Sequence, residues 1–227
     1  MAETKDQPIV DITGSVSRAE KYIEENKKSL AIIFGALILI IGGYFGWKKF
    51  YIEPMEAEAQ TQMFMAESYF EKDSLNKAIN GDGQYPGFEE IVDKYSSCPT
   101  GNLAHYYLGL CYLQKGKFED AIEQLEDFSA KDEYLGAVAV SAIGDCNMEL
   151  GKPEEAIKQY IKAADMNKND FTSPIILMKA GKAYESMNNF ADALKIYEQI
   201  KADFPDSREG KEVDKYLSYA KAKAGIQ

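Results

Sequence analysis

Residues 30–47, LAIIFGALILIIGGYFGW, form an apolar run without a charged side chain, and a lysine pair lies close to each end. An α-helix rises about 1.5 Å per residue, so the run spans roughly 27 Å. Helix tilt or snorkelling of the flanking lysines adapts that length to a hydrocarbon core of about 30 Å. Tyr44 and Trp47 suit the headgroup level. The run therefore predicts a transmembrane helix over residues 30–47.

A cleaved signal peptide and a buried core helix are the two alternatives for such a run. A signal peptide has a short basic leader, an apolar region of about 7–15 residues and small residues at its cleavage site. Here 29 residues precede the run, and residues 48–51, KKFY, follow it. Core helices seldom have this much uninterrupted apolar length. The pattern therefore favours a membrane anchor.

Basic residues are distributed unequally around the predicted span. Those within roughly 15 residues of its ends are Arg18, Lys21, Lys27 and Lys28 before it, and Lys48 and Lys49 behind it. Because Lys and Arg are retained on the cytoplasmic side of a membrane, we expect the N-terminus in the cytoplasm. Everything from residue 48 onward then lies outside the cytoplasm, which in a bacterium means the periplasm.

The chain beyond the span is acidic. Five of the 26 basic and six of the 37 acidic residues precede Lys48, which leaves 21 basic and 31 acidic residues and a net charge of −10. Nucleic-acid-binding proteins need a basic surface that displaces counterions. The charge therefore argues against nucleic acid as a partner and against a position on anionic lipid.

Three cysteines, Cys98, Cys111 and Cys146, are too few for a disulfide framework, so packing must stabilise the domain. Cys111 and Cys146 share a repeat position that the third repeat fills with Ala183, which indicates small core residues. Stacked helices lie about 8–10 Å apart, beyond the roughly 7 Å that a disulfide allows between Cα atoms. We therefore expect no bond between these two cysteines.

The first residues of the chain offer little to bury. Residues 1–14 are polar apart from a short apolar run, which predicts disorder. Ser17 and Glu20 then have the spacing of a capping box, in which each side chain satisfies a free amide at a helix start. This pattern predicts a helix from Arg18 into the membrane.

An apolar helix and a glycine-rich segment follow the span. Residues 55–73 have Ala59, Met63, Ala66 and Phe70 at helical spacing, which predicts one apolar face. Residues 80–87, NGDGQYPG, are rich in turn formers. If Gly83 were the sixth residue of a calcium loop, the first ligand position would hold Ala78, so a plain loop is the favoured interpretation. The ligands of the calcium alternative would include Asn80, Asp82 and Glu89.

Gly109, Gly144 and Gly181 lie 35 and 37 residues apart, and a repeat interval of about 20–50 residues is typical of a solenoid. Each glycine is followed twelve residues later by an alanine and four residues after that by a large side chain. These residues are Ala121, Ala156 and Ala193, then Leu125, Tyr160 and Tyr197. Because small residues let two helices approach closely, we expect a helix pair to cross at each glycine.

The pattern resembles the tetratricopeptide repeat, a helix pair of about 34 residues with Gly, Tyr, Ala, aromatic and Pro positions in this order. Tyr112 and Tyr184 occupy the tyrosine position and Pro205 the proline position, whereas Asn147 departs from the pattern. The sequence therefore predicts an all-α tetratricopeptide-repeat solenoid preceded by a single transmembrane helix.

The expected domain order follows from these assignments. A cytoplasmic arm with a short helix covers residues 1–29, the span covers 30–47, and a periplasmic repeat domain covers 48–227. Within that domain we expect a divergent repeat over 55–98 that contains the glycine-rich insertion, repeats over 102–134, 137–169 and 174–207, and a C-terminal helix over 209–224.

This layout resembles the YfgM-like family of bacterial inner-membrane proteins over nearly the whole chain. The resemblance implies an ancillary subunit of the Sec translocon that assists exported chains, as a chaperone does, together with a PpiD-like periplasmic foldase. Translocon subunits, the foldase and exported chains are then the expected partners, with no cofactor. An envelope assembly scaffold that does not contact client chains remains the alternative.

The resemblance also supplies the positions of a concave partner-binding groove. The candidate residues are Leu103, Tyr106, Leu110, Leu113, Val138, Asp145, Met148, Ile175 and Met178. Aromatic and methionine side chains suit adaptable binding of apolar segments. The competing interpretation is that neighbouring helices cover several of these side chains.

No motif in the chain indicates catalysis or a metal site. His105 is the only histidine, and it shares its repeat position with Val140 and Leu177, which predicts a packed structural residue. A catalytic or metal-ligating histidine would need partners of a kind that the sequence lacks. P-loop, zincin and nucleophile-elbow patterns are also missing. We therefore expect a protein that is not an enzyme.

The predicted topology can be tested with a reporter that is active only outside the cytoplasm. Fused after Gln227, it is expected to be active, because the larger number of basic residues precedes the span. The same reporter fused before Met1 is the control and is expected to be inactive. Protease added to spheroplasts should digest the part beyond Lys48, and full protection of that part would contradict the orientation.

Overall fold

The computed structural model describes the backbone of residues 12–226 and the side chains of residues 21–226. Within these residues the chain is all-helical, which confirms the predicted fold class. It divides into two compact units, residues 1–54 and residues 55–227, which are described separately.

The first unit contains helix α1, Ile12–Trp47, and a π-helical turn, Lys48–Ile52. The described residues include one helix that is long and apolar enough to cross a membrane, and its apolar stretch is unburied. Residues 12–17 already belong to helix α1, so the expected start at Arg18 is wrong. Serine and glutamate are tolerated inside helices, and a capping pattern alone does not fix a helix start. The side chains of Ser17 and Glu20, and the arm before Ile12, lie outside the described part.

The second unit contains the remaining helices of the described chain. In order they are α2 (Glu53–Glu71, whose first two residues precede the unit), α3 (Leu75–Asn80), α4 (Phe88–Tyr95), α5 (Pro99–Gln114), α6 (Phe118–Asp127), α7 (Glu133–Glu149), α8 (Pro153–Met166), α9 (Ser173–Ser186), α10 (Phe190–Asp203), α11 (Arg208–Glu212) and α12 (Asp214–Ala224). Short loops join α5 to α6, α7 to α8 and α9 to α10, as in antiparallel helix pairs. Each pair packs on the next through α6 with α7 and α8 with α9, so the unit is a solenoid.

The helix pairs cross at the three repeated glycines, as the spacing predicts. A Cβ atom at Gly144 would lie 2.5 Å from Cε1 of Tyr160, and one at Gly109 would lie 2.6 Å from Cγ of Leu125. Gly181 has the same relation to Tyr197. Both tyrosine rings are buried. The glycines therefore provide the space that the large side chains of the second helices occupy.

The turn after the first helix of each pair contains a residue in the left-handed backbone conformation. Gly116 follows α5 with a φ of +74°, and Gly151 follows α7 with a φ of +70°. The equivalent residue after α9 is Asn188, with a φ of +59°. Asparagine adopts this conformation more readily than most residues with a side chain. The third repeat therefore keeps the turn without the glycine.

Helix α2 packs through its predicted apolar face. Ala59, Met63 and Ala66 are buried. Glu56 accepts hydrogen bonds from the backbone N–H of Thr100 at 2.9 Å and from its hydroxyl at 2.7 Å. These bonds satisfy a free amide in the first turn of α5, so α2 also caps the first complete helix pair.

Two parts of the second unit differ from the simple repeat. Between α2 and α4, the insertion forms the short helix α3 and a closed glycine-rich loop in which the backbones of Gly81 and Gly87 lie too close for a side chain. At the other end, the expected single helix over 209–224 is divided into α11 and α12 at Val213. The Val213 side chain is fully buried in the core of the last repeats.

Replacement of Gly144 by leucine should lower the stability of the second unit. The larger side chain overpacks the crossing against Tyr160, which costs roughly 1–3 kcal/mol. Thermal unfolding of the full chain in lipid nanodiscs, followed by circular dichroism, measures the change. Lys162→Leu, at an exposed position of α8, is the control and should leave the melting temperature nearly unchanged. An unchanged melting temperature for Gly144→Leu would contradict the crossing.

Candidate protein-binding groove

An apolar groove of about 250 Å³ lies between the first helices of the three repeats. Helix α5 contributes two leucines to one wall of the groove, and α7 forms its middle. Helix α9, together with Thr172 just before it, forms the opposite wall. The lining residues are Leu110, Leu113, Val138, Ser141, Ala142, Asp145, Thr172, Ile175, Ile176 and Lys179. The helix pairs thus bring residues about 70 positions apart in the chain to one surface.

Five of the predicted groove residues meet in this site. They are Leu110, Leu113, Val138, Asp145 and Ile175. Val138 is 36% exposed and Ile175 is 45% exposed, so both offer apolar surface to a partner. The two leucines are half-buried and pack on a core cluster with Leu125 and Ile143, so they form the floor.

The other four predicted residues lie elsewhere. Met178 is only 8% exposed and belongs to the core of the last two repeats, so its expected place in an open groove is wrong. Met148 packs half-buried against the same core. Tyr106 packs against the ring of Phe128, with the ring centroids 5.3 Å apart. Leu103 lines a separate cavity of about 370 Å³ beside the loop between α6 and α7.

Five lining residues lie outside the nine candidates, namely Ser141, Ala142, Thr172, Ile176 and Lys179. Thr172, Ile176 and Lys179 follow helical spacing on the side of α9 that Ile175 also borders. This spacing is the signal that could have identified them. The positions taken from the family resemblance select Met178 on α9, although its side chain points into the core.

A polar cluster closes one side of the groove. The ammonium group of Lys179 donates to Oδ1 and Oδ2 of Asp145 at 2.9 and 2.7 Å and lies 3.3 Å from the hydroxyl of Ser141. The hydroxyl of Tyr160 donates to Oδ1 of Asp145 at 2.8 Å. Burial raises the pKa of Tyr160, and the neighbouring carboxylate of Asp145 raises it further. Tyr160 therefore stays a hydrogen-bond donor at neutral pH.

Asp82 and Glu89, the two carboxylates that a calcium loop would use, accept hydrogen bonds from other groups of the protein. Asp82 accepts hydrogen bonds from the Tyr69 hydroxyl and from the backbone N–H groups of Gln84 and Tyr85, and these bonds lower the pKa of Asp82 to about 2. Glu89 accepts a hydrogen bond from the hydroxyl of Tyr112. Within residues 21–226, no three His, Cys, Asp or Glu side chains form a group suited to a metal ion.

The histidine and the cysteines occupy structural environments. Nδ1 of His105 lies 2.9 Å from Oε1 of Gln124, and the ring is half-buried rather than fully packed. Cys98, Cys111 and Cys146 are buried free thiols. Burial raises the pKa of Cys111 to about 12 and that of Cys146 to about 11, so these two thiols are poor nucleophiles.

Comparisons with known proteins agree with this architecture. A sequence model of the tetratricopeptide repeat-like domain matches residues 21–207, which include the predicted span and all three repeats. A solved structure of a putative kinesin light chain with nearly identical TPR-like repeats, from Podosopora anserina, is 14% identical with a TM-score of 0.59 and covers 75% of this chain and 88% of its own. A crystal structure of MamA protein is 21% identical with a TM-score of 0.51, covering 74% and 92% respectively. Among curated protein sequences, none matches this chain.

Proposed function

The chain belongs to the tetratricopeptide repeat-like domain family, and we propose that it is a membrane-anchored, non-catalytic protein that binds a segment of a partner protein in the groove. The observation that carries this proposal is the apolar surface between α5, α7 and α9. Exposed apolar surface on a soluble domain usually marks an interaction site. Among the described residues, no three His, Cys, Asp or Glu side chains form a group suited to a metal ion.

The groove suits a peptide segment better than a flat protein surface. Val138 and Ile175 stand at its rim, while Leu110 and Leu113 lie deeper. A partner side chain inserted between them would bury apolar area on three helices, and each Å² removed from water contributes roughly 25 cal/mol. Because the helices are packed at the glycine crossings, the groove is preformed. Binding therefore costs this chain little conformational entropy.

We further propose a cellular site for this binding. The resemblance to the YfgM-like family supports an ancillary role at the Sec translocon on the periplasmic side of the inner membrane, beside a PpiD-like foldase. Residues 30–47 would anchor the groove near the membrane and raise its effective concentration for chains that emerge there. Exported chains expose apolar segments before they fold, which is the chemistry that the groove accommodates.

A photo-crosslinking side chain at Val138 should capture a partner in intact cells. The expected products are translocon subunits, the foldase or exported chains, because Val138 is exposed and lines the groove. Ile175→Glu should weaken this capture about tenfold, because it replaces apolar rim surface with a charge that an apolar partner segment would have to remove from water. Ile175 is a better position than Leu110 for this change, since Leu110 also supports the core.

Two controls separate the groove from other surfaces. Phe64→Glu changes a 68% exposed apolar residue of α2 outside the groove and should leave capture intact. A crosslinker at Lys162 on α8 should not give the same products. Capture of a single folded envelope protein would favour the scaffold alternative, and capture that Ile175→Glu leaves unchanged would contradict binding in the groove.

A further inference from the structure

The two charges of the groove are paired with each other. Among the ten described residues that line it, Asp145 and Lys179 are the only charged ones. They come from adjacent repeats, and their side chains are 32% and 38% exposed. A charged pair in an otherwise apolar site constrains the ligand, because a charge removed from water needs a partner.

The pair is also satisfied by its surroundings. Both oxygens of Asp145 accept from Lys179, and Oδ1 accepts a further hydrogen bond from Tyr160. The ammonium group has three acceptors within 3.3 Å, namely these two oxygens and the Ser141 hydroxyl. An ammonium group has three protons to donate. A ligand charge would therefore meet a group that already has its counter-ion and its hydrogen bonds.

Two exposed aromatic residues lie at the starts of α7 and α9, away from the charged pair. Tyr134 lies one turn before Val138 on α7 and is 51% exposed. Phe171 lies four residues before Ile175 and is 81% exposed. The backbone N–H of Phe171 donates to the side chain of Asn169 at 2.8 Å, so the turn that carries this ring is ordered.

We propose that the groove selects an uncharged apolar segment, which lies with one end against the Asp145–Lys179 pair and the other between Tyr134 and Phe171. This inference rests on the proposed function and adds the chemistry of the ligand. Asp145 lies eleven positions after Tyr134 on α7, which corresponds to about 16 Å along the helix. An extended peptide covers that length with about five residues. The pair excludes charged segments because either ligand charge would have to break it or be buried without a partner.

Labelled peptides of about eight residues test the selection. One peptide has only leucine and serine, a second has lysine in place of the central serine, and a third has glutamate there. Fluorescence anisotropy measures their binding to the full chain in lipid nanodiscs, with empty nanodiscs subtracted. The uncharged peptide should bind about tenfold more tightly than either charged peptide. Its affinity should be independent of salt concentration, because no net charge is neutralised.

Breaking the pair should change the preference in a predictable direction. Lys179→Met leaves the Asp145 carboxylate without its counter-ion, and the lysine peptide should then bind about tenfold more tightly than the glutamate peptide. Asp145→Asn keeps an acceptor for Tyr160 but leaves the ammonium group of Lys179 without its counter-ion. The glutamate peptide should then bind more tightly than the lysine peptide. The double variant should prefer the uncharged peptide again. Lys182→Met, at an exposed position of α9 outside the groove lining, is the matched control and should behave as the original chain.

The outcomes distinguish this inference from the function on which it rests. If the original chain binds the uncharged peptide but the single variants keep the same preference, selection by the pair is wrong while binding in the groove stands. The same conclusion follows if the original chain binds a charged peptide best. If no peptide binds to any folded variant, and crosslinking at Val138 also captures nothing, the proposed function fails as well. Circular dichroism melting confirms that each variant is folded.

Discussion

The close contact between a tyrosine ring and a glycine is the constraint on which the groove depends. At Gly144 the backbone of α7 approaches the Tyr160 ring of α8 so closely that a Cβ atom would lie 2.5 Å from the ring. The hydroxyl at the end of that ring donates to Asp145, which in turn holds Lys179 of the next repeat. One packed side chain therefore sets the spacing of a helix pair and orients the charged pair in the groove. The next crossing repeats the arrangement, since Tyr197 packs on its glycine and donates to Glu185 at 3.0 Å.

This connection explains why the groove can be apolar and preformed. The hydroxyls of Tyr160 and Tyr197 donate to carboxylates on the first helices of their repeats. Among the described residues, no buried polar side chain lacks a hydrogen-bond partner. The surface between those helices then retains aliphatic side chains around a single neutralised pair. A satisfied pair specifies its surroundings without contributing much net stability. Its effect here is on the kind of ligand that the groove accepts.

Local patterns predicted the fold well because each one has a local physical cause. The spacing of Gly109, Gly144 and Gly181 follows from helix crossings within one repeat, and the apolar face of α2 follows from helical period. The groove was predicted only in part, because burial depends on neighbouring repeats. Met178 is covered because α9 is packed on both sides, and the pair between Asp145 and Lys179 joins residues 34 positions apart. A single sequence gives no signal for such a pair.

Direct observation of the occupied groove tests the central claim, which is that a partner segment binds between α5, α7 and α9. The full chain can be purified with its partners from detergent-solubilised membranes and imaged by electron cryomicroscopy. We predict density for an apolar segment in contact with Val138 and Ile175, with the Asp145–Lys179 pair intact at its end. Partner density confined to other faces of the solenoid, with the groove empty, would contradict it.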